Sequence, residues 1–369
     1  MKKPLSKKAK ISLIVLAVIL IIVLIIGIVV ALKVKQYLGY IDYDTQQSAT
    51  LIDIPIEQVT VPQEETASAP DTEKEEVVEQ EDSINKIFTL DESKYYSDPN
   101  VENILLIGTD TRDPNSFAGN SDSMIIVSIK KDTKKILLTS VMRDTYVKYP
   151  TELTIGGRKV QYGKLNMAYL AGGGKFLIST IQANFRIKID KYVVVNFTGF
   201  VDGIDILGGV DINLKKGEPY YINMYAREIC NIMGKDINDH LIDESFTGNM
   251  HLSGVQALAY SRIRYIGNDF ERTERQRKVL LSLFEKAKTS DLSTMDELLT
   301  KVLPLVRTDM SSKEILGHAS NALSYLKYNV ETLRLPIDGT YRELIIDRQS
   351  NVGIDFEPNY NKYVEILNK

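Results

Sequence analysis

A single cysteine, Cys230, stands among 369 residues. That excludes an intramolecular disulfide and any cysteine-built zinc site, and leaves packing as its role. Histidine is almost as scarce: His240, His251 and His318 are too few for a His-rich metal centre and argue against the usual Ser-His-Asp arrangement. Net charge is missing as well. Ten of the 45 bases and fifteen of the 49 acids fall by residue 95, which leaves 35 bases against 34 acids in the rest. Affinity for an anion must then come from local clustering. There is no internal repeat, and the length suits one anchor, one stalk and one domain of roughly 270 residues.

What the N-terminal part does have is apolar length. Residues 11–32 run uncharged, enough for one transmembrane helix. Lys2, Lys3, Lys7, Lys8 and Lys10 precede the run, so residues 1–10 are expected in the cytoplasm and all that follows outside the cell, a single-pass arrangement at the cell membrane. A cleaved signal peptide is the competing reading, but the run exceeds a signal core, and Lys33 and Lys35 replace a small-residue cleavage site. Residues 33–98 read as an acidic, largely disordered stalk. From Glu64 to Asp82 nine acids face the single base Lys74, with Pro62 and Pro70 among them. A binding role for that acidic run is the alternative.

Beyond it, over residues 99–369, short branched-residue segments alternate with helical ones. Val101–Gly108, Ser123–Ile129, Lys135–Val141 and Tyr192–Phe197 read as strands. Gly172–Phe185, Ser253–Tyr260, Asp269–Thr289 and Lys313–Tyr325 read as helices. An α/β (α+β) domain around one central sheet is expected.

Four segments gather chemistry. The strand from Ile104 ends in Gly108-Thr109-Asp110-Thr111-Arg112-Asp113; polar residues at a strand end line sites, and the same types also form turns. Ser121-Asp122-Ser123 enters the next strand, where Asp122 either joins Asp110 as a carboxylate pair suited to magnesium or caps a turn. Ser140–Thr145 carries Arg143-Asp144, a surface ion pair or a catalytic couple, and Lys164 opens Lys164–Tyr169 without being remarkable alone. The fourth segment is Leu252–Arg264 followed by Asp269–Arg277. If residues 261–265 are extended, Arg262 and Arg264 point to one side; if a helix begins at Asp269, then Asp269, Arg272, Arg275 and Gln276 share an arc. Such guanidinium forks match phosphate oxygens and stay charged at any working pH, which suits a diphosphate. A broad face for lipid headgroups is the alternative, against which Asp269, Glu271 and Glu274 are interleaved. An external domain excludes nucleic acid.

Taken in this order behind one anchor, the strings resemble the LytR-CpsA-Psr family across residues 99–285 and more loosely to the end. Val201–Val210, with Leu207-Gly208-Gly209-Val210, adds to the match. The resemblance implies a mixed sheet flanked by helices, with a hydrophobic cavity for a polyprenyl chain and a charged mouth for its pyrophosphate. It implies a phosphotransferase that moves a polyprenyl-pyrophosphate-linked anionic glycopolymer, such as a teichoic acid or capsule, onto a muramic acid hydroxyl of peptidoglycan with Mg²⁺. Hydrolysis of the same pyrophosphate is not separable from transfer by sequence. Carried over, Asp110 and Asp122 would hold Mg²⁺. The pyrophosphate would be held by Arg112, Arg143, Lys164, Arg262, Arg264, Arg272 and Gln276. Arg143, Asp144, Arg262 and Arg264 would act in catalysis, Asp144 as the weaker candidate for general base. Two positions depart from the family pattern: Asn120 stands where an arginine is common, and Met142 where a proline is. The phosphate grip that such an arginine would give is either missing here or supplied by Arg112. A non-catalytic module that binds or senses lipid pyrophosphate is the alternative function. A nucleic-acid-binding regulator ranks last, because only about ten residues precede the span.

Overall fold

The computed structural model describes residues 32–45, 50–55, 95–109, 111, 113, 116–267 and 269–369. The chain divides into two compact units, Met1–Ile41 and Asp42–Lys369. In the first, residues 32–38 are helical. The cytoplasmic tail and the transmembrane helix expected over 11–32 lie outside the described residues, Leu32 excepted. Among the described residues no helix is long and apolar enough to cross a membrane.

The second unit begins with β1 (Asp42–Tyr43), β2 (Val101–Thr109), β3 (Ser121–Lys130), β4 (Lys135–Val141), β5 (Tyr146–Ile155), β6 (Arg158–Lys164), α1 (Asn166–Phe185) and β7 (Lys191–Val195). Next come α2 (Phe197–Ile206), β8 (Val210–Leu214), α3 (Glu218–Met233), β9 (Gly248–Leu252), α4 (Gly254–Arg262), α5 (Asp269–Thr289) and α6 (Leu292–Val302). It closes with β10 (Val306–Thr308), α7 (Ser312–Tyr325), β11 (Asn329–Leu335), β12 (Tyr341–Ile346), β13 (Gln349–Ile354) and α8 (Phe356–Asn368).

Among the described residues seven strands form the central sheet, in the order β1-β10-β7-β2-β3-β4-β11. It is mixed, as expected: β7 runs parallel to β2 and β11 to β4, while β3 is antiparallel to both neighbours. Alternation along β2 decides the layers. Leu105 and Ile107 enter a core with Phe176, Ile181 and Phe356, under α1 and α8. Ile104 and Leu106 face the other way, toward Met310, Ile315 and Tyr325. A separate core of Val201, Ile204, Ile222, Ile229 and Leu258 holds α2, α3 and α4 against the β8–β9 pair, and buries Cys230 as ordinary packing.

All four expected strands match to within two residues. The last, Tyr192–Phe197, stops at Val195, because the Asn196 side chain accepts the Gly199 N–H at 2.9 Å and starts α2. The helix expected from Gly172 begins earlier, at Asn166, with Gly172 and Gly173 as a kink inside it; Gly173 has φ +66°, open to a residue without Cβ. Of the stalk expected over 33–98, residues 46–49 and 56–94 lie outside the described residues, and several of the rest pair with the domain. Residues 42–43 pair with β10, Ile54 is fully buried and bridges Ile155, and Tyr96 bridges Ile187. Isolated Ile and Tyr among polar neighbours are docked on the domain, a tertiary effect that composition averages away.

Helix α8 is fastened to the sheet by polar contacts. The Tyr363 hydroxyl donates to Asn103 Oδ1 and bonds Ser128 Oγ, each at 3.0 Å. Buried Lys130 and Lys135 donate to the carbonyls of Leu367 and Ile366, both at 3.0 Å, where lysines suit a helix C-terminus.

Candidate functional site

The site lies where β2 and β7 end and β3 begins. Gly108 pairs with Ser123 but Thr109 pairs with Ser121, so Asp122 is the extra residue of a β-bulge. A bulge re-aims a side chain that strict alternation would send to the opposite face. Asp122 and Ser123 therefore line the same cavity.

Helix α4 supplies the far wall. Ser253 caps it in a reciprocal capping box with Gln256. Gly254 lets it close on α2, since a Cβ there would sit 2.2 Å from the Val201 carbonyl oxygen. The helix runs through Arg262, so the extended stretch expected over 261–265 is not formed: a helical Tyr260 C=O···H–N Ile263 bond competes and prevails. Arg262 and Arg264 still both reach the cavity, one from the last helical turn and one from the turn after it.

Helix α5 starts at Asp269 as expected, with Asp269 and Glu271 in its first turn and Lys286 and Lys288 in its last, matching the helix dipole. Arg272 and Gln276 line the cavity. Arg275, on the same arc, does not. It is buried against Glu218 at 2.8 Å and donates to the carbonyls of Ile263 and Ile266, fixing the turn that carries Arg264.

The cavity has a volume of about 370 Å³. Its depth is apolar, with Leu106, Ile125, Phe200, Ile204, Leu258 and Leu280 among the lining side chains, and its mouth carries Asp122, Arg262, Arg264, Arg272 and Gln276. Arg143, Asp144 and Lys164 stand one step back. Arg143 bonds Asp122 at 2.6 Å and Asp144 at 3.2 Å, and lies 3.5 Å from Asp269. Lys164 reaches Asp144 at 3.0 Å, Arg264 reaches Asp122 at 3.4 Å, and Arg272 reaches Asp269 at 3.1 Å. Arg143 and Asp144 thus belong to a buried network, and of the two sequence readings the surface pair is set aside. Arg262 stands apart, facing Glu228 at 3.3 Å between the rings of Phe197 and Tyr225.

Electrostatics in this network are uneven. Burial would raise the Asp122 carboxyl, but Arg143, Arg272 and Arg264 more than offset it and hold it below the usual range. Asp144 is likewise held low against burial by Arg143 and Lys164. Asp269 moves up: burial and the neighbouring Asp144 outweigh Arg272 and Arg143. Burial, then the charge of Arg143, pushes Arg272 down to about 10. The Arg272 side chain is only 2 % exposed, and among the described residues its Nε and Nη1 have no hydrogen-bond partner. A buried guanidinium with idle donors at a cavity mouth calls for an oxygen-rich anion.

Asp110 and Arg112, expected as metal and phosphate residues, lie outside the described residues. Asp122 is ionised but already engaged by two arginines, and among the described residues no group of three or more His, Cys, Asp or Glu side chains could hold a metal. A cation would thus need ligand oxygens to complete its shell. Met142, at the family's proline position, is fully buried, with the Thr273 hydroxyl 3.9 Å from its sulfur. The sequence puts Asp269 on the arc without a role and gives no sign of Glu228; the hydrophobic cavity is as the resemblance implied, while its lining residues were left unassigned. No local signal marks such a lining, because cavity wall and solid core use the same side chains.

The LytR_cpsA_psr family model matches residues 58–361. Biofilm regulatory protein A of Streptococcus mutans serotype c is 33% identical over 257 residues, a match spanning 67% of this chain but only 60% of that protein. A Bacillus cereus protein named polyisoprenyl-teichoic acid–peptidoglycan teichoic acid transferase TagU is 30% identical over 239 residues, 64% of this chain and 69% of its own length. The solved structure of TagT (YwtF), a Bacillus subtilis protein, with bound octaprenyl pyrophosphate lipid superposes with a TM-score of 0.52 at 20% identity, covering 77% of this chain and 97% of that one, a likeness of fold. With matched sequence over most of its length and the fold to go with it, the chain belongs to the LytR-CpsA-Psr family.

Proposed function

We propose that this chain transfers a polyprenyl-pyrophosphate-linked anionic glycopolymer to peptidoglycan. The observation that carries the reading is the joining of an apolar cavity to a mouth where Arg272 holds idle donors: the shape of a lipid tail ending in a diphosphate. The names of TagU and of the lipid-bound TagT point the same way. The wall hydroxyl attacks the glycan-side phosphorus, forming a new P–O bond. The anhydride P–O bond to polyprenyl phosphate breaks, and that phosphate leaves with the electron pair. Positioning and charge neutralisation carry most of such a reaction. Arg143, Arg264 and Arg272, with Lys164 and Gln276, hold the diphosphate oxygens, and Arg262 steadies the departing phosphate. Asp144, ionised and held low, is a weak base, so the proton passes to the Asp144–Asp269 pair acting as a unit.

Mg²⁺ belongs to the proposal through Asp122 and Asp110, where it would neutralise phosphate oxygens when bound. The proposal also sets residues 11–32 across the cell membrane, with the domain outside beside a membrane-borne donor.

The test incubates the full-length chain with polyprenyl-pyrophosphate glycan, Mg²⁺ and peptidoglycan and looks for covalently attached polymer. Arg262→Ala should lower the yield about 10²-fold or more; an unchanged yield overturns the assignment. Donor binding without product in the wild type marks a sensing module instead. Glycan phosphate released without acceptor marks hydrolysis.

A further inference from the structure

Beside the mouth four tyrosines form one surface. Tyr220, Tyr221 and Tyr225 lie on α3, and Tyr265 follows Arg264 in the turn before α5. Tyr265 stacks on Tyr221 with centroids 5.6 Å apart and planes 21° from parallel, and on Tyr225 at 6.5 Å and 21°. Tyr220 closes the row edge-on to Tyr221 at 5.0 Å. Helical tyrosines at such spacing ordinarily pack a core, but Tyr265 is 63% exposed and Tyr220 51%. The row is continuous with the site: Tyr225 lines the cavity, and its ring lies 5.2 Å from the Arg262 guanidinium.

We propose that this tyrosine row is a saccharide platform, on which sugar rings beyond the diphosphate stack. The inference rests on the transferase reading and adds the subsite that would hold the glycan. Phenol rings give sugars flat apolar faces for their C–H edges and hydroxyls for their oxygens, and they cost little conformational freedom. The platform is also rigid. Arg275 donates to the carbonyls of Ile263 at 3.1 Å and Ile266 at 2.9 Å, the residues flanking Arg264-Tyr265. One buried arginine thereby holds a phosphate-facing charge and a sugar-facing ring in fixed register. A membrane-interface role is the competing class, but the row opens onto a mouth with interleaved carboxylates, and Glu228 stands beside Arg262 at its edge.

The test measures binding of three probes to the full-length chain: octaprenyl pyrophosphate, the same lipid bearing an N-acetylhexosamine disaccharide, and a soluble muramic acid disaccharide. For the wild type the disaccharide-bearing lipid should bind about tenfold tighter than the bare one, on the order of one stacked-ring contact. Tyr265→Ala should abolish that increment and leave the bare lipid unchanged, while Tyr265→Phe keeps most of it. Tyr221→Ala, on the fully formed α3, should act like Tyr265→Ala. Loss confined to the soluble disaccharide supports a platform that seats the acceptor instead of the donor. No sugar increment in the wild type, or equal loss for bare and sugar-bearing lipid, overturns the platform. Failure of the wild type to bind even bare octaprenyl pyrophosphate sinks the transferase reading itself. Loss of binding to phosphatidylglycerol vesicles, with sugar binding intact, overturns the platform in favour of a membrane contact.

Discussion

The two ends of the central sheet carry the same kinds of side chain and do different things with them. Where β2 and β7 begin, a polar groove of about 430 Å³ is lined by lysines and carboxylates. There Lys131 pairs with Glu102 at 2.8 Å, Lys188 with Asp190 at 3.2 Å and Lys191 with Glu314 at 3.0 Å, all in reach of solvent. Such pairs contribute little either way. Where those strands end, the charges are withdrawn from water, each carboxylate is shared among cations, and Arg272 keeps donors in reserve. What separates a site from a solvated surface here is burial with unfinished hydrogen bonding, a property of placement and not of residue type.

The contrast can be broken in order of expected effect. Arg272→Ala should cut glycopolymer transfer by about 10²–10³-fold in single-turnover assays, as for removal of one preorganised donor. Arg272→Lys should recover little, since a point charge lacks the fork. Next, Arg275→Met strips Glu218 of its buried partner and should cost about 3–5 kcal/mol in urea unfolding; adding Glu218→Gln should restore part of the loss.

A third test uses pH. Asp122 and Asp144 lie below the ordinary carboxylate value, so their contribution to stability is present above it and is lost as pH falls through their depressed values. Asp269 lies above it, so its contribution favours the fold on the acid side and fades as pH rises through its raised value. Asp269→Asn removes the second trend and, because Asp269 helps to hold Asp144 low, weakens part of the first. Thermal unfolding of the variant should be less sensitive to pH just above 3.8, and curves that coincide with wild type would count against the coupling to Asp144. Smallest of all, Lys131→Ala at the opposite end should change unfolding by no more than about 0.5 kcal/mol and leave transfer untouched. A loss there approaching that of Arg275→Met would erase the contrast.

Much of this was legible in the residues. Branched runs marked β2, β3 and β4 almost to their ends, because half-buried strands leave a strong composition signal. The charged mouth was legible too, since Arg262, Arg264, Arg272 and Gln276 cluster in one short stretch. Other features belong to tertiary structure alone. The bulge that turns Asp122 inward exists only in the register of two strands, where Gly108 meets Ser123 and Thr109 meets Ser121. The split in role between Arg272 and Arg275, which share one arc of α5, depends on Glu218 arriving from α3. Ile54 reads as stalk by composition and is buried by its bridge to the distant Ile155.

Lys130 and Lys135, which close the final turn of α8 from within the sheet, bear on how the protein can be handled. Trimming the chain before Ile366 would take from both ammonium groups the carbonyls they hold and leave Lys130 to Asp98 at 3.5 Å and Lys135 to Glu331 at 3.0 Å. An affinity handle joined after Lys369 leaves that closure whole, whereas a shortened expression boundary would weaken the sheet that carries the site at its other end.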